Sequence, residues 1–168
     1  MDLKIDIQLK TRFPDLKVLA CEIKGVKVEK QNVELEKFED EITKHVRERY
    51  DLESLKDGLT FRAYRDFFWK IGIDPTKIRP AAEALIRRIL GGKTIPRINT
   101  LVDAYNLASI KTEIALAAFD ADKLKGELIM RFAEKGEEFL GIGMEKPMSL
   151  KGGEIVVSDS EKLVAVYP

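Results

Sequence analysis

Cysteine and histidine are almost missing from this chain, which has one of each, Cys21 and His45. A lone cysteine cannot form an internal disulfide. Its neighbours Val18, Leu19, Ala20 and Ile23 are apolar, so it reads as a buried thiol in a reducing compartment. One Cys with one His cannot build a Cys/His zinc site. A serine–histidine–aspartate hydrolase is excluded unless His45 is its base, and no serine stands in a nucleophile-elbow context. Long apolar runs are missing too. The longest cover only a few residues, as at 114–119, whereas a spanning helix needs about 20. Residues 1–10 alternate charged and apolar side chains and lack the apolar core of a signal peptide. A cytoplasmic chain without a membrane partner is expected.

Charge is abundant. Charged residues make up 35% and apolar residues 45% of the 168, which fits neither disorder nor a membrane protein. At this length roughly 70% of the unfolded surface can be buried, enough for one domain. Heavy use of Lys and Glu with little Gln suits a thermophile. The net charge of zero hides an uneven distribution. Residues 60–98 carry nine basic side chains against three acidic ones, a balance of +6, while residues 1–59 stand at −2 and 99–168 at −4. The basic middle predicts an anionic partner on one face.

The patterning predicts helices first and strands afterwards. Residues 16–28 read as a first strand, with Gly25 as a turn or bulge. Leu35, Phe38, Ile42, Val46 and Tyr50 then step by three or four along an amphipathic helix. Further helices are predicted at 60–71, stopped by Gly72 and Asp74-Pro75, and at 80–90, between Pro80 and Gly91-Gly92. A last helix follows Pro96, capped by Asn99 or Thr100, and runs to about Ser109. Strands are predicted at 114–119, 126–132, 138–142, 154–157 and 163–167, short and often β-branched. Helices gathered before strands argue for an α+β domain with helices packed on an antiparallel or mixed sheet. Residues 1–59 are expected to form an N-terminal strand and helix of the same single domain whose core is 60–168.

Several motifs fail. Gly92-Lys93-Thr94 lacks the glycine a phosphate-binding loop needs five residues before Gly92, where Arg87 stands. Gly141-Ile142-Gly143 does not continue as a dinucleotide fingerprint. Asp120 and Asp122 read as a turn or cap, without a third acidic ligand at metal-loop spacing. No metal or cofactor is expected. One constellation survives. On a helix starting near Asn99, the side chains of Asn99, Asp103 and Asn106 share a face, with Leu101, Val102, Tyr105 and Ala108 around them. Such a stripe is either a polar network tying loop to helix or a site for a small polar ligand. Arg79, Arg87, Arg88, Lys93 and Arg97 lie just upstream, with Tyr64, Phe67, Phe68 and Trp69. Basic groups interleaved with aromatics suit phosphates and stacked bases, or else ion pairs and core.

The stretch from Tyr64 to Arg88 (YRDFFWKIGIDPTKIRPAAEALIRR), then Pro96-Arg-Ile-Asn-Thr-Leu-Val-Asp-Ala-Tyr-Asn106, then Ala118-Phe-Asp120 resembles the B3/B4 domain of the phenylalanyl-tRNA synthetase β subunit. It resembles still more closely the free-standing prokaryotic proteins built from that domain alone. The resemblance runs from about Phe61 to the end. It implies an α+β body with a β-sandwich core of unusual topology, and a site hydrolysing tyrosine mischarged onto phenylalanine tRNA. Selection by a second site is physically sensible, since an added hydroxyl is poorly rejected by an apolar synthetic pocket. Carried over by residue, the family's Asn is Asn106, which would position ester or water. The family's editing histidine falls at Ala117, and its Ala-Gly segment and downstream Glu fall at or beyond Val166-Tyr167-Pro168. Asn99, Asp103, Tyr105 and Asn106 are the expected pocket, and Arg79, Arg87, Arg88, Lys93 and Arg97 the expected phosphate contacts. The expected partner is tRNA or aminoacyl-tRNA, the alternative a free amino acid. A last strand with an exposed edge would allow a homodimer.

Overall fold

The computed structural model describes residues 2–167, and they fall into two units, each with its own contacts. The first unit joins the chain up to Gly25 with the chain from Phe119 onward. Its strand β1 (Leu3–Ile5) leads straight into helix α1 (Ile7–Arg12). Asp6 makes that switch, because its carboxylate accepts from Gln8 N at 2.8 Å and caps the helix. α1 buries Leu9 completely and lies against β2 (Leu128–Phe132). β3 (Glu138–Phe139) and β4 (Met148–Ser149) form a separate antiparallel pair. β5 (Ile155–Ser158) and β6 (Leu163–Tyr167) complete a four-stranded mixed sheet in the order β1-β2-β5-β6. β1 runs parallel to β2 with Leu3 beside Leu128, and β2–β5 and β5–β6 are antiparallel. Every residue of β5 is buried, so Ile155, Val156 and Val157 stand in an unbroken apolar run rather than an alternation. Ala133, Leu150 and Val156 form its core with Leu163 and Val166.

The second unit, residues 26–118, is helical: α2 (Val33–Arg49), α3 (Leu59–Lys70), α4 (Ala81–Leu90) and α5 (Thr100–Thr112). α2, α4 and α5 pack on one another, and α3 packs on the 3-10 turn Leu55–Asp57. Ile42, Val46, Leu55, Phe61, Ile86, Ile89, Leu107 and Ile110 make one core. Each such side chain contributes about 1.5–3 kcal/mol on leaving water. Asn32 caps α2, accepting from Glu34 N and Leu35 N at 3.0 Å, and Pro80, expected as the first helical residue, stands one position earlier as the N-cap of α4. The chain as a whole is α+β. Among the described residues no helix is long and apolar enough to cross a membrane.

Two expected strands do not form. Residues 16–28 and 114–119 belong to no sheet. Their β-branched content favours an extended backbone, but a strand also needs a neighbour to pair with and a core to face. Leu19 is 92% exposed, Ile23 73%, and Cys21 is exposed, not the buried thiol its apolar neighbours suggested. Segment 114–119 is held by side chains instead. Ser109 Oγ donates to Ile114 O at 2.5 Å, and Ala115 N donates to Tyr64 Oη at 3.0 Å. The strand expected at 138–142 shrinks to β3, because the chain turns at 141–144 with Gly143 in the left-handed region (φ +80°). Asp120 caps a 3-10 turn, accepting from Asp122 N at 3.1 Å.

Candidate functional site

The start of α5 carries the polar stripe. Asn99 is extended (φ −166°, ψ 166°), and its Oδ1 accepts from Leu101 N at 3.1 Å and Val102 N at 3.0 Å. Asp103 reaches back to accept from Ile98 N at 2.9 Å. These two carboxyl and amide oxygens satisfy backbone donors that the first helical turn and the chain before it would otherwise leave open. Thr100 adds a stitch: its N donates to Glu29 O, and Glu29 N donates to its Oγ1, both at 2.9 Å. Asp103, Asn106, Leu107 and Ile110 follow helical spacing, so Asn106 borders the stripe that α5 buries. Asn106 and Tyr105 are half-buried. No hydrogen bond engages the Asn106 amide among the described residues, so of this stripe it is the group open to a ligand.

The basic residues divide by what holds them. Glu83 is wholly buried between Arg65, whose Nη1 donates at 2.9 and 3.2 Å, and Arg87, whose Nε donates at 2.8 Å. Arg87 also donates to Leu52 O at 3.0 Å. Arg97 pairs with Glu39 at 3.0 Å and Glu36 at 3.6 Å, and the Glu39 hydrogen bond pushes its guanidinium further up. Arg88 Nε donates to Thr94 O at 2.5 Å, while the side chain stays exposed. Arg79 and Lys93 are exposed and unpaired among the described residues. Arg79, Arg88 and Lys93 therefore present charge to solvent, whereas Arg87 and Arg97 have theirs compensated inside the unit.

Sequence reasoning did not single out Glu113. It ends α5 in the left-handed region (φ +61°), the only non-glycine there among the described residues. Its carboxylate accepts from Tyr50 Oη at 2.7 Å and pairs with Arg49 at 3.5 Å, tying the ends of α2 and α5. Nothing in the sequence marks a glutamate for this conformation. Burial, and then the Glu113 hydrogen bond, push the Tyr50 hydroxyl up to about 12. Between its ordinary value and that one the folded chain holds the proton more tightly, so the stability this contact contributes falls as pH rises through the interval. A tyrosinate absorbance titration of Tyr50→Phe, subtracted from wild type, should show the missing phenol titrating near 12.

Two hollows lie in the first unit. One is a polar cleft of about 320 Å³ between Arg131, Glu137, Asp159 and Lys162, the other a shallow groove along α1. Neither is lined by Asn99, Asp103, Tyr105 or Asn106. Three of the cleft's charged groups, Arg131, Glu137 and Asp159, are engaged within the unit. Arg131 grips both Glu137 oxygens at 2.7 and 2.8 Å, holding that carboxyl below its usual range. Asp159 accepts from the backbone of Glu161, Lys162 and Lys125, which likewise holds it low. Among the described residues no cluster of three or more His, Cys, Asp or Glu is placed to hold a metal ion.

The B3/4 domain family model matches residues 63–168, which takes in α4, α5 and the Asn106 stripe. The chain is 35% identical over 95 residues to the phenylalanine–tRNA ligase beta subunit of Fusobacterium nucleatum, covering 56% of this chain and 12% of that one. The same subunit of Thermotoga maritima is 36% identical over 69 residues (41% and 9%), and that of Aquifex aeolicus 36% over 72 (43% and 9%). The chain thus spans about a tenth of the length of these curated relatives. No solved structure matches it. With most of its length matched by the family model, from α3 through β6, the chain belongs to the B3/4 domain family.

Proposed function

We propose that this chain is a B3/4 module that binds tRNA or aminoacyl-tRNA in the cytoplasm and hydrolyses the ester of mischarged tRNA. The observation that carries the reading is the family match together with relatives whose printed name is that of a tRNA ligase subunit. The three uncompensated cations, Arg79, Arg88 and Lys93, support it, because phosphate contacts need charges not already neutralised by neighbours. In the reaction, water adds to the ester carbonyl, the bond from carbonyl carbon to ribose oxygen breaks, and that oxygen takes up a proton. The Asn106 amide can both donate and accept, and its role is to hold the ester or the water in line. Ala117 supplies no base. Asn99 and Asp103 fix the helix start beneath the site, and Tyr105 lies beside it.

Deacylation of a panel of mischarged tRNAs tests this reading. Asn106→Ala is expected to slow hydrolysis on the order of ten- to a hundred-fold, the size of effect that misplacing a reactant has, with the melting temperature kept. Hydrolysis untouched by Asn106→Ala contradicts the placement of the site. Salt-sensitive tRNA binding with no hydrolysis of any member of the panel leaves a binding module and overturns the catalytic part.

A further inference from the structure

Of the four aromatic residues at 64–69, three are used in packing: Tyr64, Phe67 and Phe68 are half-buried. Trp69 is not. It stands in the last turn of α3 with 57% of its surface exposed. The helix closes just beyond it. Gly72, at φ +81°, donates from its N to Trp69 O at 3.1 Å, and Ile73 N donates to Phe68 O at 2.8 Å. This pair of bonds satisfies the helix carbonyls and turns the chain back along the helix end. Asp74 then accepts from Thr76 N at 2.9 Å and Thr76 Oγ1 at 2.6 Å, which sets the following turn. The exposed charges around this helix end are Lys70 next to Trp69, and Lys77 and Arg79 on the turn. Opposing them are Asp66 and Asp74, the latter occupied by Thr76 and only 4.0 Å from Lys77.

A flat exposed indole amid excess positive charge fits a partner that is anionic and offers flat π faces. Single-stranded nucleic acid has both properties at every residue. We infer that Trp69 is a stacking platform for an unpaired base of a bound RNA, with Lys70, Lys77 and Arg79 contacting the phosphates on either side. This rests on the RNA-binding reading above and adds to it the point where a base is held. The Lys70 charge also offsets the partial negative charge at the C-terminal end of α3, which would otherwise repel phosphate.

Trp69 is the only tryptophan in the chain, so its emission reports on this site alone. The full chain is titrated with dye-labelled single-stranded oligoadenylate, anisotropy of the dye giving binding and intrinsic emission giving contact with Trp69. Emission should be quenched, with saturation at the same RNA concentration as the anisotropy. Trp69→Ala should weaken binding roughly ten-fold and Trp69→Phe much less, as expected for loss or retention of one stacked base. Binding by anisotropy with unchanged Trp69 emission, or with Trp69→Ala equal to wild type, overturns the inference and leaves the RNA reading standing. Emission that changes only with protein concentration assigns the face to a second copy and also overturns it. No anisotropy change at low salt overturns the inference, while the tRNA reading is tested separately by tRNA binding.

Discussion

Glu83→Ala should destabilise the helical unit by about 3–5 kcal/mol, the usual cost of removing one partner from a buried ionic cluster. Glu83 is completely buried and accepts from Arg65 and Arg87 together. Without it two guanidinium groups face each other across a cavity, each having lost its charge-assisted bond. Their side chains are 17% and 22% exposed, so both can turn partly toward water, which places the cost at the lower end of that range. For a chain of this size the melting temperature should fall by roughly 2–4 °C per kcal/mol. Glu83→Gln keeps the shape and one acceptor and should cost less. A melting curve for Glu83→Ala within a degree of wild type would mean that the buried carboxylate does not hold α3 to α4.

The second large effect separates the basic residues by function. Neutralising Arg79 and Lys93 together should weaken tRNA binding at low salt and reduce the slope of log K against log salt by about 1.4–1.8, two counterions' worth. Arg97→Ala should leave the slope unchanged, because its charge is already compensated by Glu36 and Glu39. Arg87→Ala should act through stability instead, since it opens the Glu83 cluster. Binding curves at several salt concentrations, taken alongside melting curves, check all three. Equal loss of slope for Arg97 and for Arg79 would show that the ion pairs seen on α2 give way to RNA.

Which elements were legible in the sequence follows from what makes each one stable. The helices from α2 to α5 carry their own instructions: apolar spacing, Asn99 as a cap, and Gly72 and Gly91 as exits. The segments 16–28 and 114–119 carry β-propensity without a partner, and pairing is a property of two segments rather than one. β1 and α1 are too short, three and six residues, for any periodicity to declare them. Their signal was Asp6, readable only as a cap once a helix is known to follow. The spacing of α4 gives no sign that Glu83 is buried, because its burial depends on Arg65 arriving from another helix. At the site the polar stripe on α5 was visible from spacing alone. The motif around Asn106 carried the family. What spacing could not resolve was the division of labour, in which Asn99 and Asp103 serve the helix start and the Asn106 amide is left open.

The most direct measurement is equilibrium binding of an unmodified tRNA to the wild-type chain across a salt series. If Arg79, Arg88 and Lys93 contact phosphate, log K should fall linearly with log salt with a slope of about −2 to −3, steeper where Lys70 and Lys77 contact phosphate as well. A slope near zero, or no binding at low salt, would contradict a cationic flank that delivers tRNA to this domain.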